Sequence, residues 1–400
     1  TKATRIANAV TVGAGANALV IGNLVATADT TPQLKTAVAG TINITGKIDG
    51  AAATNDLTLT VANGAITLGG AVGSSGPLDE LNASGKTSFT ANGAVTAEYI
   101  TIGFSSTDFA TSISFADTVK GNGTGFAVGV GATGAGTIYF AKSIEITNSV
   151  GEMYLQSENG SITVSGNILG KSSVTIESVS GAISVAGITT DQNGGADIDI
   201  ISDTGNITTT GEISARGSLS VVNIFNDFGG DITINGDVSA GTNGNIYLSI
   251  GDDSTGVVGP GNLNINGALN APGTSNGISI TISSGCAGVV NVNKAISTNG
   301  YIDLVVYSPA TSTLNVAQNA TITGDRVLFS AQSSSNTINL ASGANVTAVT
   351  EVYDIGAGNL NLASNITVIN SINGIILDNL SINLTGASSL KSASTTAANG

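Results

Sequence analysis

The 400-residue sequence has no histidine and no tryptophan, and only one cysteine, one methionine and five prolines. Without histidine there is no Ser-His-Asp or Cys-His nucleophilic site and no imidazole-ligated metal. A single cysteine, Cys286, precludes an intrachain disulfide, and with no imidazole to activate it the thiol reads as a small buried apolar group. Cationic residues are also scarce. Twelve Lys and Arg stand against 27 Asp and Glu, a net charge of −15. That balance excludes the basic footprint that nucleic acid requires and disfavours anionic membrane surfaces. No apolar run approaches the ~20 residues of a transmembrane helix. No signal peptide is visible and the sequence starts at Thr1 rather than Met, so it reads as a processed chain or an excised segment.

What the sequence does have is 54 glycines and 41% apolar residues. The apolar residues are mostly Ile, Val and Leu in strict alternation with polar ones, the signature of half-buried strands rather than of disorder. The chain also repeats itself. The pattern G-x-Φ-x-Φ-x-G-x-Φ, with Φ apolar, starts at positions 40, 64, 87, 111, 136, 160, 181, 205, 230, 261, 288, 312, 336, 358 and 380, with a weaker copy near Asn8. The common interval is about 24 residues, and a short period of this kind marks a solenoid.

The third position of the unit is apolar in every copy, from Ile42 through Ile232 and Leu263 to Ile382. The fifth is apolar except at Thr209. Alternation places both on one face of a strand. Glycine at the seventh position, as in Gly46, Gly93, Gly166 and Gly236, is expected to supply a positive-φ corner. A second alternating run follows in each unit, such as VTIES from Val174 or NIYLSI from Asn245, and then a third, shorter stretch.

Three strands and three corners per ~24 residues make one coil of a parallel β-helix, which buries its apolar face only by stacking at ~4.8 Å. The predicted fold is all-β, a single-stranded right-handed parallel β-helix of about 15–16 coils and roughly 75 Å. Left-handed hexapeptide helices would repeat at about 18 residues. A β-sandwich array fits less well, because no domain-sized gap interrupts the repeat. The expected organisation is an N-terminal region 1–39 with an inserted loop, a continuous helix 40–387, and a polar tail or linker 388–400.

The residue between the two apolar positions faces outward. It is Asn in six consecutive copies: Asn264, Asn291, Asn315, Asn339, Asn361 and Asn383. Elsewhere it is mostly Thr or Ser, as at Thr67, Thr90, Thr163 and Ser184. Stacked amides predict a hydrogen-bonded ladder. A flat polar face for glycans or ice is the alternative use.

Carboxylates offer little chemistry. The three arginines, Arg5, Arg216 and Arg326, are far apart, so the Arg/Lys-plus-carboxylate cluster of a polysaccharide lyase or hydrolase is missing. Asp197, Asp199, Asp227, Asp231 and Asp237 gather locally, and a paired-carboxylate glycosidase site there is the minor reading. No catalytic residue and no cofactor site are assigned. Calcium is the one possible ion, with Asp252 and Asp253 in the turn GDDSTG and Asp197 in NGGADID as weak candidate ligands. GVGATGAG near Gly129 resembles a phosphate loop only in glycine content, and no Lys-Ser/Thr pair follows it. The two long intervals, 230–261 and the one ahead of position 40, are candidate contact loops.

Units such as GNITTTGEISARGSLSV (205–221) and GDITINGDVSAGTNGNIYL (from Gly230) resemble the passenger regions of bacterial autotransporters and filamentous haemagglutinin-like adhesins. The likeness is one of style and covers residues 8 to 390. It implies an extracellular, non-catalytic rod at the bacterial cell surface, associated with the outer membrane, that binds host or cell surfaces, glycans included. Two departures stand against it: no NPN-type secretion motif lies near the start, and no C-terminal membrane barrel follows. The alternative is a surface-layer subunit that self-associates through divalent cations, with a polysaccharide-degrading enzyme the least favoured.

Overall fold

The computed structural model describes the chain except residues 1–2, 8–9, 13–18, 28–32, 37–39, 105–107, 192–194, 252–258, 275–276, 284–285, 371–373, 378–379, 386–387 and 393–400, and the side chains of 10–12 and 33–36. Every regular element among the described residues is a β-strand. The strands form a parallel β-solenoid of about 14 turns with roughly 24 residues per coil. The turn count is slightly lower than the sequence reading because fifteen repeat starts bound only fourteen complete intervals. The chain divides into two compact units, Thr1–Asp191 and Gln192–Gly400.

In unit 1 the third repeat position stacks in register from Ile42 through Ile66, Phe89, Ile113, Ile138 and Ile162 to Ile183. In unit 2 the third repeat position forms its own column of Ile207, Ile232, Leu263, Val290, Leu314, Ile338, Leu360 and Ile382. All of these side chains but Ile382 are buried. A fully buried aliphatic side chain contributes about 1.5–3 kcal/mol relative to exposure, so the columns are the main source of stability. The fifth-position column lies beside them and accepts one polar member. Thr209 is completely buried and its hydroxyl has no hydrogen-bond partner.

The described seventh-position glycines do not have positive φ, contrary to the expectation from sequence. They are needed because backbone stacks directly on backbone at that corner. A Cβ on Gly93 would lie 2.6 Å from the nitrogen of Ala71, and one on Gly236 or Gly267 would overlap the carbonyl of Gly211 or Gly236 in the coil before. Lack of room, not backbone freedom, selects glycine here.

In four successive coils the glycine that opens the repeat is held by a buried polar side chain three or four residues earlier. The backbone nitrogens of Gly160, Gly181 and Gly205 donate to the hydroxyls of Ser157, Ser178 and Ser202 at 3.1, 2.9 and 2.9 Å. At the next coil Asn226 takes over, its Oδ1 accepting from Gly229 and Gly230 at 2.9 and 2.6 Å. These hooks satisfy backbone groups that the corner removes from the strand ladders.

At the N-terminal side, Gln33–Thr36, within the expected inserted loop, forms a strand in register with Thr58–Val61. At the other end Ser389–Ser392 pairs with Asn365–Val368, so strand stacking runs past residue 388.

Candidate functional site

Four successive strands of unit 1, Val95–Ile102, Gly125–Ala132, Gly151–Ser157 and Val174–Ser178, align Thr101, Gly129, Tyr154 and Thr175 in one outward column. Gly129 has no side chain, which leaves a notch one coil deep above Tyr154. Phe104 fills part of it. A Cβ on Gly129 would sit 2.8 Å from Cε2 of Phe104, and one on Gly131 would sit 3.1 Å from the Phe104 nitrogen. Phe104 gets there through an unusual turn, with Gly103 at φ +85° and Phe104 itself at +72°. A bulky residue in the left-handed region costs about 1–3 kcal/mol, and such strain concentrates at functional sites.

Phe126 forms the other wall. The strand register shifts between Phe126 and Val128, a bulge that buries both Ala127 and Val128 and turns Phe126 outward, where it is 63% exposed. Tyr154 stacks against Phe104 at 5.7 Å between centroids and 25° between planes, and meets Phe126 at 6.3 Å and 59°. The Tyr154 hydroxyl donates to Oε2 of Glu177 at 2.5 Å. Burial, then this hydrogen bond and the carboxylate's charge, push the phenol well above its ordinary range, so it stays a donor. Thr101, Phe104, Phe126, Gly129 and Tyr154 enclose a concavity of about 360 Å³. In a chain with nine Phe and seven Tyr, three aromatic residues meeting on an otherwise polar face is notable.

Unit 2 has an outward aromatic cluster of a different character. The Tyr301 ring lies over Gly277, where a Cβ would come within 2.6 Å of Cε2. Burial and a hydrogen bond with Tyr247 push the Tyr301 phenol up to about 12. Arg326 contacts Glu351 at 3.4 Å and lies 5.8 Å above the Tyr353 ring. Asp303 is raised by burial, with Arg326 pulling the other way. This patch pairs its own charges and covers its own ring faces.

Asp252 and Asp253 lie outside the described residues. Asp197 accepts from the Val221 nitrogen at 2.8 Å, and Asp199 accepts from Asn223 Nδ2 at 2.6 Å. Asp231 accepts from the nitrogen and Nδ2 of Asn262 at 2.8 and 3.0 Å, and Asp237 from the Ala268 nitrogen at 2.8 Å. Each of these carboxylates therefore ties its coil to the next. No group of three or more Cys, Asp or Glu among the described residues is arranged to hold a metal ion. Cys286 is buried, which pushes its thiol up, and it contacts the Gly259 carbonyl at 3.4 Å.

Nothing in the repeat pattern singles out Phe104, Phe126 and Tyr154. The available signal was the pair Gly129 and Gly131 of GVGATGAG, strand residues that make the notch. No helix among the described residues is long and apolar enough to cross a membrane. No protein-family model matches the chain, and neither a curated protein nor a solved structure matches it.

Proposed function

We propose that the chain is a non-catalytic, surface-displayed β-solenoid of the bacterial adhesin type, carried on the outer membrane, whose aromatic groove at Tyr154 contacts molecules on host or other cells. The observation that carries this reading is the groove itself: open ring faces held by strain and a bulge on an exposed coil face. Exposed apolar surface of this kind, rimmed by polar residues, marks contact sites. Solenoids use such faces for binding, each coil adding a short segment of surface.

The test is attachment of the fluorescently labelled full chain to cultured cells. Saturable binding that drops about tenfold in Phe126→Ala supports the reading. Binding unchanged in Phe126→Ala and Phe104→Ala removes the groove from it. Ordered sheets appearing in electron micrographs only with millimolar calcium would replace it with a surface-layer role.

A further inference from the structure

The groove's walls are three aromatic rings, and none of its five lining residues is charged. The four strands beneath it contribute Glu98, Glu152 and Glu177 but no Lys or Arg. Phe126 pairs in register with Glu152, and Glu177 touches the Tyr154 hydroxyl. The surroundings are therefore aromatic and negative.

That combination discriminates among small ligands. A sugar ring brings several hydroxyls, each needing a partner when it leaves water. The lining offers only the Thr101 hydroxyl, since that of Tyr154 is committed to Glu177. An anionic group would face carboxylates with no cation to receive it. A trimethylammonium group requires no hydrogen bond. Its methyls are apolar, and its diffuse positive charge is drawn to ring faces and nearby carboxylates.

Building on the cell-surface role above, we infer that the groove of Phe104, Phe126 and Tyr154 receives the trimethylammonium end of a choline lipid headgroup, with Glu177 as counter-charge. A headgroup presented by a membrane fits better than a free metabolite. The mouth is bordered by Phe126, the most exposed large apolar side chain among the described residues. Such a side chain gains by entering the headgroup layer. The ammonium is the outermost part of the headgroup, so the lipid phosphate stays outside, away from the glutamates. A net charge of −15 opposes anionic lipids and leaves zwitterionic ones as partners.

The inference is tested with the full chain by calorimetric titration against choline chloride and against 3,3-dimethylbutan-1-ol, which has the same shape without the charge. Flotation with vesicles of phosphatidylcholine, phosphatidylethanolamine or phosphatidylglycerol forms the second arm. The expected result is saturable choline binding, at least about tenfold weaker binding of the uncharged alcohol, and flotation with phosphatidylcholine alone. Glu177→Gln should weaken choline without affecting the alcohol, and Phe126→Ala, at an exposed position, should weaken both. Equal affinity for choline and the alcohol overturns the inference, as does binding of neutral oligosaccharides at the groove in place of choline. Choline binding without vesicle flotation overturns the membrane source. Cells that still bind the chain when the choline titration is silent sink this inference and leave the cell-surface role intact; loss of both sinks both.

Discussion

In unit 1, aromatic rings occupy the core: Phe115 and Phe140 stack at 4.6 Å with 5° between planes, and Phe89 packs on Phe115 at 5.4 Å. The corresponding fifth-position column of unit 2 contains Ile234, Ile265, Val292 and Val316. The outer faces differ as well. Where unit 1 carries Thr67, Thr90, Ser114, Tyr139 and Thr163, unit 2 carries the six asparagines. Their amides join at 2.9, 3.0, 2.8, 2.7 and 2.9 Å from Asn264 to Asn383. One backbone turn thus accommodates flat rings in one unit and stacked amides in the other. The choice follows the column and not the single coil, because a side chain's nearest neighbours are its counterparts above and below.

The comparison breaks most severely where a column is interrupted by charge. Ile232→Asp should cost at least about 3 kcal/mol, because the carboxylate would lie between Ile207 and Leu263 without a partner. Cooperative urea unfolding at the wild-type midpoint would refute the inward column. Phe115→Ala should cost about 3–5 kcal/mol in unit 1 by opening a cavity beside Phe89 and Phe140. A loss below 1 kcal/mol would mean the rings are not a stacked core.

Next comes the ladder. Asn315→Ala deletes the bonds to Asn291 and Asn339 and should cost about 1–2 kcal/mol. Thr90→Ala on unit 1 should stay within about 0.5 kcal/mol. Equal midpoint shifts for the two would erase the distinction. Thr209→Val is expected to stabilise by up to about 1 kcal/mol, since it replaces an unpartnered buried hydroxyl with a methyl of similar size; a lowered melting temperature would contradict that.

The smallest effect is the pH dependence. Glu80 in unit 1 and Asp303 in unit 2 are both raised, mainly by burial. A raised carboxyl favours the protonated folded form. Its stabilising contribution is complete below the ordinary carboxylate pKa, near ~4, and is lost as pH rises through the folded value. Glu80→Gln and Asp303→Asn should therefore raise the urea midpoint at pH 7 and leave it unchanged near pH 3. Gains of equal size at both pH values would point to packing rather than charge.

The sequence made the solenoid readable because its apolar residues recur at fixed positions, and burial depends on position within the coil. Ile42, Ile232 and Leu314 all follow that rule. The asparagine column was legible for the same reason. The meaning of the glycines was not: Gly93 and Gly236 look alike whether they serve a positive φ or a tight backbone stack, and only the adjacent coil distinguishes the two. The aromatic groove depended on events with no periodic trace. A bulge after Phe126 reversed its facing, and a left-handed turn aimed Phe104 across the notch at Gly129. Sequence displays the Asp197 carboxylate but not the Val221 amide that donates to its Oδ1.

The ladder from Asn264 to Asn383 has a further property. In every link the Nδ2 belongs to the later coil and the Oδ1 to the earlier one. The amides are thus aligned head to tail, their dipoles add, and each bond polarises the next. Reversing a single interior amide would set oxygen against oxygen on one side and hydrogen against hydrogen on the other. Orientation is therefore a collective choice, settled for the whole row at once, and it gives this face an electrical polarity that its uncharged side chains would not suggest.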